Sequence, residues 1–513
     1  MPSTASTIHL DSADGPVPVR YGWLKRILIG SGCLLVGLVL LRLWWGYEAN
    51  RRLQAQIDRY RAAGQPVFVE DFIVEVPDVE NAVIPLGEAL EAMQVSTGTM
   101  SLGQPAWRNA PDELDRLIEI NSVALEKLRE VRKRPGFSWD PSIVANSLSG
   151  GPPPPMRGYR DAAKLLRLSA RYHHRCGNDA EFVEGIFDLL ALGEVVDHHP
   201  TNIATLVAHT IYGLAYELVE RFGARIRIAS GPANDGAHSQ AVSSAQVLSL
   251  INRLIDDENR YREGVVLGLC AGRASSLGAL PTGTWLKLVG VRDILITVVQ
   301  PTLALDAIRL ARWSTAAASA AIEPNWRAAQ SQLPNLAEPQ TLLRQATHVF
   351  GGMVDTTTPF PYWHFIEFHF KFMAKRRLAA TALAIRLFEV DHGHRPGRLA
   401  ELVPDYLSSV PQDPFEPDGG PIRYRPGGDD PMLYSVGVNG LDEGGVFARK
   451  PDGQVDWSKN RRDILFHLNG RPVVPPQGLP TGTIPAPSPQ AGDDDHDHED
   501  ASRDQDQRDS GDE

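Results

Sequence analysis

The stretch "YRDAAKLLRLSARYHHRCGNDAEFVEGIFDLLALGEVVDHHPTNIATLVAHTIYGLAYELVERF", Tyr159 to Phe222, decides the fold class. Its apolar residues recur at helical spacing in three runs. Leu165, Leu166, Leu168 and Tyr172 carry the first. Phe182, Ile186, Leu189, Leu190 and Val196 carry the second. Ile203, Leu206, Val207, Ile211, Leu214 and Leu218 carry the third. "CGND" separates the first two, with Asn178 or Asp179 able to cap the next helix. "HHPTN" separates the last two, and Thr201 can start the third. Three helices in succession predict helical hairpins that stack into a bundle or short solenoid. No fixed period identifies a named repeat.

The same periodicity extends outward. Asp112–Arg134 reads as one amphipathic helix, and Ala245–Leu267, Gly283–Trp313 and Asn335–Phe350 as further helices, with Pro301 expected to break or kink its own. "SGGPPPPM", the polar connector Gly223–Gln240 and "DTTTPFP" at 355–361 are irregular. The fold class expected is therefore mainly α, with a large all-helical domain over 67–355. Helix resumes from Tyr362 to Asp391.

Near the N-terminus, "WLKRILIGSGCLLVGLVLLRLWW" holds no charge from Ile27 to Leu41. Leu24 to Trp45 makes about 33 Å of helix, enough to cross a bilayer. Flanking basic groups can snorkel, and Trp44–Trp45 suits an interfacial belt. The competing reading is a buried core helix. The exit "LWWGYEANRR" lacks a small-x-small cleavage site, so residues 22–46 read as an uncleaved signal anchor that meets the lipid bilayer. Residues 1–21 are polar and read as disordered; 47–66 read as a helical stalk stopped by Gly64 and Pro66. The basic residues on the two flanks give orientation no clear vote.

The net charge of -12 is uneven: Asp493–Glu513 carries eleven acids and two arginines, or -9, which leaves -3 for the rest. That excludes a broad basic nucleic-acid surface on the folded part. Residues 471–513 read as Pro-rich, then acidic and disordered. Cys33, Cys176 and Cys270 have no zinc-ligand spacing. Cys176 and Cys270 read either as buried free thiols or as one disulfide.

From Arg376 to Leu468 the order is helix, "DHGHRP…LAELVPDYL…VPQDPF", then strand candidates Ile422–Arg425 and Met432–Val436 joined by "PGGDD", with "LYSVGVNG" at the end. This run resembles the periplasmic C-terminal domain of type II secretion major pseudopilins, over about 90 residues. The helical remainder resembles uncharacterised single-span bacterial membrane proteins. The resemblance implies a small α+β domain over 362–470 and an inner-membrane protein with a cytoplasmic N-terminus and a periplasmic C-terminus. It also implies a structural calcium held by the Val436 carbonyl, Asn439, Asp442 nearby and Asp463. Arg462 stands where the family carries an acid. More than 300 residues separate Trp45 from Leu378, and "GWLKRI" lacks the filament subunits' Thr-Leu and Glu, so a borrowed domain is implied, not a filament subunit. Without calcium, "MLYSVGVNGLDEGG" is a glycine-rich turn with solvated acids.

Other candidates have ordinary readings beside the chemical one. One histidine from His173–His174 and one from His198–His199 can share a metal across a hairpin with Glu194 and Asp197, or all can be polar helix ends. Glu258 and Glu263 with Arg260 and Arg262 read as i,i+4 surface pairs. His467 reads as a solvent-facing strand residue. No nucleophile elbow, HExxH, Walker lysine loop or dinucleotide fingerprint is present. The expectation is a non-enzymatic envelope scaffold with an unidentified protein partner; the alternative is an enzyme or receptor with a site in a groove of the helical domain.

Overall fold

The computed structural model describes residues 22–94, 111–151, 156–229, 240–283, 292–333, 362–428, 430–445 and 463–470. The readings of 1–21, Asn335–Phe350, Arg462 and 471–513 fall outside them. The described chain is mainly helical, with two small sheets.

The three predicted helices are present as α6 (Met156–Arg175), α7 (Asp179–Asp197) and α8 (Asn202–Phe222). Asn178 caps α7 by accepting from Glu181 N, and Thr201 caps α8 by accepting from Ala204 N. α7 is buried almost all round, because its neighbours α6 and α8 are joined by α4 (Ser122–Val131), α9 (Ser244–Asp256) and α10 (Glu258–Thr282). Arg129–Glu181 at 2.6 Å and Arg132–Glu184 at 2.5 Å tie α4 to it. Cys176 and Cys270 are free, and Cys176 is exposed, which corrects the buried-thiol reading for that residue.

Three expected helices differ. The helix expected over 112–134 is two, α3 (Pro111–Ile120) and α4, parted at Asn121. That buried side chain accepts from Gln94 N and donates to Leu117 O, competing with the helical ladder. α9 and α10 are likewise parted at Asp257. α11 (Asp293–Ala321) instead runs unbroken through Pro301. Proline leaves the carbonyl four residues back without its helical donor, here that of Thr297. The Arg42 guanidinium donates to Thr297 O and, at 3.0 Å, to Val298 O.

Arg42 lies on α1 (Gly22–Ala62), a single 41-residue helix. Its first half is exposed: Leu28, Ile29, Leu34, Leu35 and Leu40 are each more than 60% accessible. From Ala49 onward it packs against α11, with Leu53 and Tyr60 buried beside Ala304, Ala307 and Ala311. The expected stalk is thus part of the body. α1 and α10 are the described helices long and apolar enough to cross a membrane, but most of the apolar run of α10 is buried. α10 also carries Gly264, Gly268 and Gly272. A Cβ on Gly268 would lie 2.2 Å from Thr205 Oγ1, so the α7–α8 corner rests on the α10 backbone.

Two helices follow this region: the short α12 (Trp326–Gln332) and the 31-residue α13 (Tyr362–His392). α13 ends at Gly393, which is left-handed at φ 74°. It packs on α8 and α9 and also on the C-terminal sheet, so one continuous core includes Phe182, Ile211, Leu383, Val436 and Phe466. That sheet is antiparallel in the order β3 (Arg423–Arg425), β4 (Met432–Ser435), β5 (Ile464–His467). A parallel pair, β1 (Ile228–Ala229) and β2 (Val242–Ser243), precedes α9. Glu258 is more than a surface pair: it receives both arms of Arg377 at 2.7–2.8 Å and also Arg262, joining α10 to α13.

Candidate functional site

The C-terminal loop is built from Asp413 upward. This buried carboxylate accepts from Ser435 Oγ (2.6 Å), Val436 N (2.8 Å) and Phe415 N (2.9 Å), so "QDPF" fixes where β4 leaves the sheet. Gly437, Gly440, Gly444 and Gly445 then turn the chain at positive φ. Asp442 accepts from Tyr434 Oη, Gly444 N and Arg423 Nε. Asn439 Nδ2 donates to Glu443 at 2.6 Å, and Asp463 accepts from Gly445 N at 2.7 Å. Glu443 and Asp463 face each other, and burial together with Glu443 raises the Asp463 carboxyl to about 6.

Val436, Asn439 and Asp442 lie along this loop, and Asp463 is brought beside it through Gly445 N. Asp442 is held by Arg423, and Glu443, not assigned by the resemblance, meets Asn439 and Asp463. Among the described residues no group of three or more His, Cys, Asp or Glu can hold a metal ion. A calcium cage takes six to eight oxygens, whereas here Asp442 is engaged by Arg423 and Asn439 turns its amide nitrogen to Glu443.

The raised Asp463 carboxyl has a consequence for stability. The folded form keeps a proton that the unfolded form loses near its ordinary value. The associated stability is present at low pH and is lost as pH rises through about 6. Asp463→Asn is expected to stabilise the full chain in detergent by about 1 kcal/mol at pH 7.5 relative to pH 5, after discounting for partial exposure. Melting curves at the two pH values check this. A difference between variant and wild type that is the same at both pH values would contradict it.

The histidine pairs do not meet. His174 Nδ1 lies 2.6 Å from Asp179 at the start of α7, whereas His198 and His199 follow its end, about 28 Å away. His199 instead sits edge-on to Trp139 at 4.6 Å. His467 is buried, not solvent-facing. Its Nδ1 lies 2.9 Å from Asp430, and its backbone N–H reaches Glu220 on α8, which covers that face of β5.

Sequence reasoning missed a buried polar cluster. His209, Tyr212 and Tyr216 of α8 meet Asp197 of α7, Tyr261 of α10, and His369 and Arg376 of α13. His369 stacks on Tyr261 at 5.2 Å, and Tyr261 meets His209 at 5.5 Å. Arg376 donates to Leu254 O (2.5 Å) and Arg253 O (2.8 Å), closing the end of α9. Burial pushes His209 down to about 4 and His369 well below its usual range, so both histidines are uncharged at neutral pH, and it pushes Asp197 well above its own. The spacing of 209, 212 and 216 on one face of an apolar helix was the available signal.

No family model matches the chain, and neither a curated protein nor a solved structure matches it.

Proposed function

We propose that the protein is a membrane-anchored, extracytoplasmic scaffold of the bacterial envelope, fixed by α1 and presenting its helical body and pseudopilin-like C-terminal region to a protein partner. The observation that carries the reading is the contrast along α1. Residues 22–47 are largely exposed and apolar, and the next turns are built into the body, with Ala49 at 1% accessibility. A bilayer is the solvent in which such a surface is favourable. The anchor enters the body as one continuous helix, so the body is held at a fixed height above the lipid. The likeness to secretion pseudopilins supports a periplasmic C-terminus and a partner from a secretion or pilus-like machine. A receptor or enzyme reading would draw on the buried cluster around His209, whose groups are enclosed by four helices.

Topology tests the proposal. A reporter active only outside the cytoplasm, fused to the C-terminus of the full chain, is expected to be active, and the same reporter at the N-terminus silent. The reverse pattern refutes the proposed orientation.

A further inference from the structure

The α10–α11 hairpin shares its level with the apolar half of α1, and the seam between α1 and α11 fixes by how much. Arg42 bonds Thr297 and Val298, Gln56 accepts from Arg312, and Tyr60 accepts from Thr315. Each pair is separated by 255 or 256 residues, so α1 and α11 run parallel in constant register. Asp293, the first residue of α11, is then level with Leu38, inside the uncharged run that ends at Leu41. α10 runs antiparallel to α11: Leu269 meets Ser314, and the end of α10 at Gly283 meets Ile296. The end of α10 is therefore level with Ile296, and so with Leu41 of α1.

We infer that the end of α10 at Gly283 and the first turns of α11, Arg292 to Val299, make a second membrane contact, seated in the same interface that α1 crosses. The inference rests on the anchoring reading. If α1 spans, four residues separate the level of Asp293 from Arg42, or about 6 Å of helix. That matches the 5–10 Å at which interfacial helices sit. The chemistry of this end suits that depth. Val298 is 55% exposed, next to the exposed apolar face of α1. Ile296 and Val299 fill the seam beneath it. Arg292 and Asp293, both exposed, are the deepest described residues at the start of α11, and their charges fit an interfacial depth and not a spanning one. The lock between Arg42 and the carbonyl freed by Pro301 has a reason at this place. A carbonyl at the edge of hydrocarbon has little water to bond, and a guanidinium from the neighbouring helix supplies the donor. The lipid so contacted is a bilayer interface continuous with the one α1 occupies.

Depth-dependent quenching tests this on the full chain in phosphatidylcholine–phosphatidylglycerol vesicles. Cys33, Cys176 and Cys270 are replaced by serine, and single cysteines at Leu35, Val298 and Ile322 carry an environment-sensitive fluorophore. Ile322 is as exposed as Val298 but lies about 36 Å along α11. The expected result is strong quenching at Leu35 by deep nitroxide lipids, at Val298 by shallow ones, and none at Ile322. Quenching at Leu35 with Val298 indistinguishable from Ile322 overturns the inference and leaves the anchor standing. An unquenched Leu35 overturns the anchoring reading and the hairpin contact with it.

Discussion

Replacing Phe370 by alanine is expected to lower the unfolding free energy by about 3–5 kcal/mol. Phe370 is fully buried in the first third of α13. Its ring meets Trp326 at 5.9 Å and Phe415 at 6.4 Å, and Trp326 meets Phe415 at 6.1 Å. Trp326 N donates to Pro414 O at 2.8 Å, so the aromatic trio joins α12 and α13 to the "VPQDPF" run. An alanine here leaves a cavity ringed by large rigid groups that cannot collapse into it. Because the core is continuous from α7 to β5, the loss should appear as a single unfolding transition moved to lower denaturant. Unfolding of the full chain in mild detergent, followed by tryptophan fluorescence and circular dichroism, checks this. Two separated transitions in the wild type would show the C-terminal region to be an independent domain.

His209→Gln should change how stability depends on pH. Burial holds the wild-type imidazole at about 4, while the unfolded chain binds a proton near 6.5. The unfolded state thus takes up a proton in a window where the folded state does not. The stability tied to neutral His209 is complete above about 6.5 and is lost as pH falls toward 4. At about 1.36 kcal/mol per pH unit, the wild type should lose some 2–3 kcal/mol more than the variant between pH 7 and pH 4.5. Asp197 works in the opposite direction, since burial raises it, but it is present in both proteins and cancels in the difference. His369 is lowered partly by His209, so it rises when His209 is removed and trims the effect. Denaturant titrations of both proteins at the two pH values provide the measurement. A difference that does not change with pH would mean that His209 is already charged in the folded state.

The helices from α6 to α8 were legible because each carries its apolar residues at one period and is bounded by an Asn or Thr cap. β3 and β4 were legible for a similar reason, lying on either side of a glycine turn. What the sequence concealed was long-range. Arg42 reads as a snorkelling residue at the end of an apolar run, yet its partners are about 255 residues away, and they also explain why Pro301 leaves α11 whole. Asn121 reads as an ordinary polar position until Gln94 is brought to it. His467 alternates with apolar neighbours, and no local pattern announces that α8 covers it. The cluster around His209 joins four helices, and only their packing gathers scattered tyrosines and histidines into one buried group.

The proposed anchoring requires the exposed first half of α1 to lie within a bilayer. Alkaline carbonate extraction of cell membranes containing the full chain tests that most directly. The protein is expected to stay in the pellet with lipid and to be released only by detergent. Its recovery in the carbonate supernatant would contradict the account.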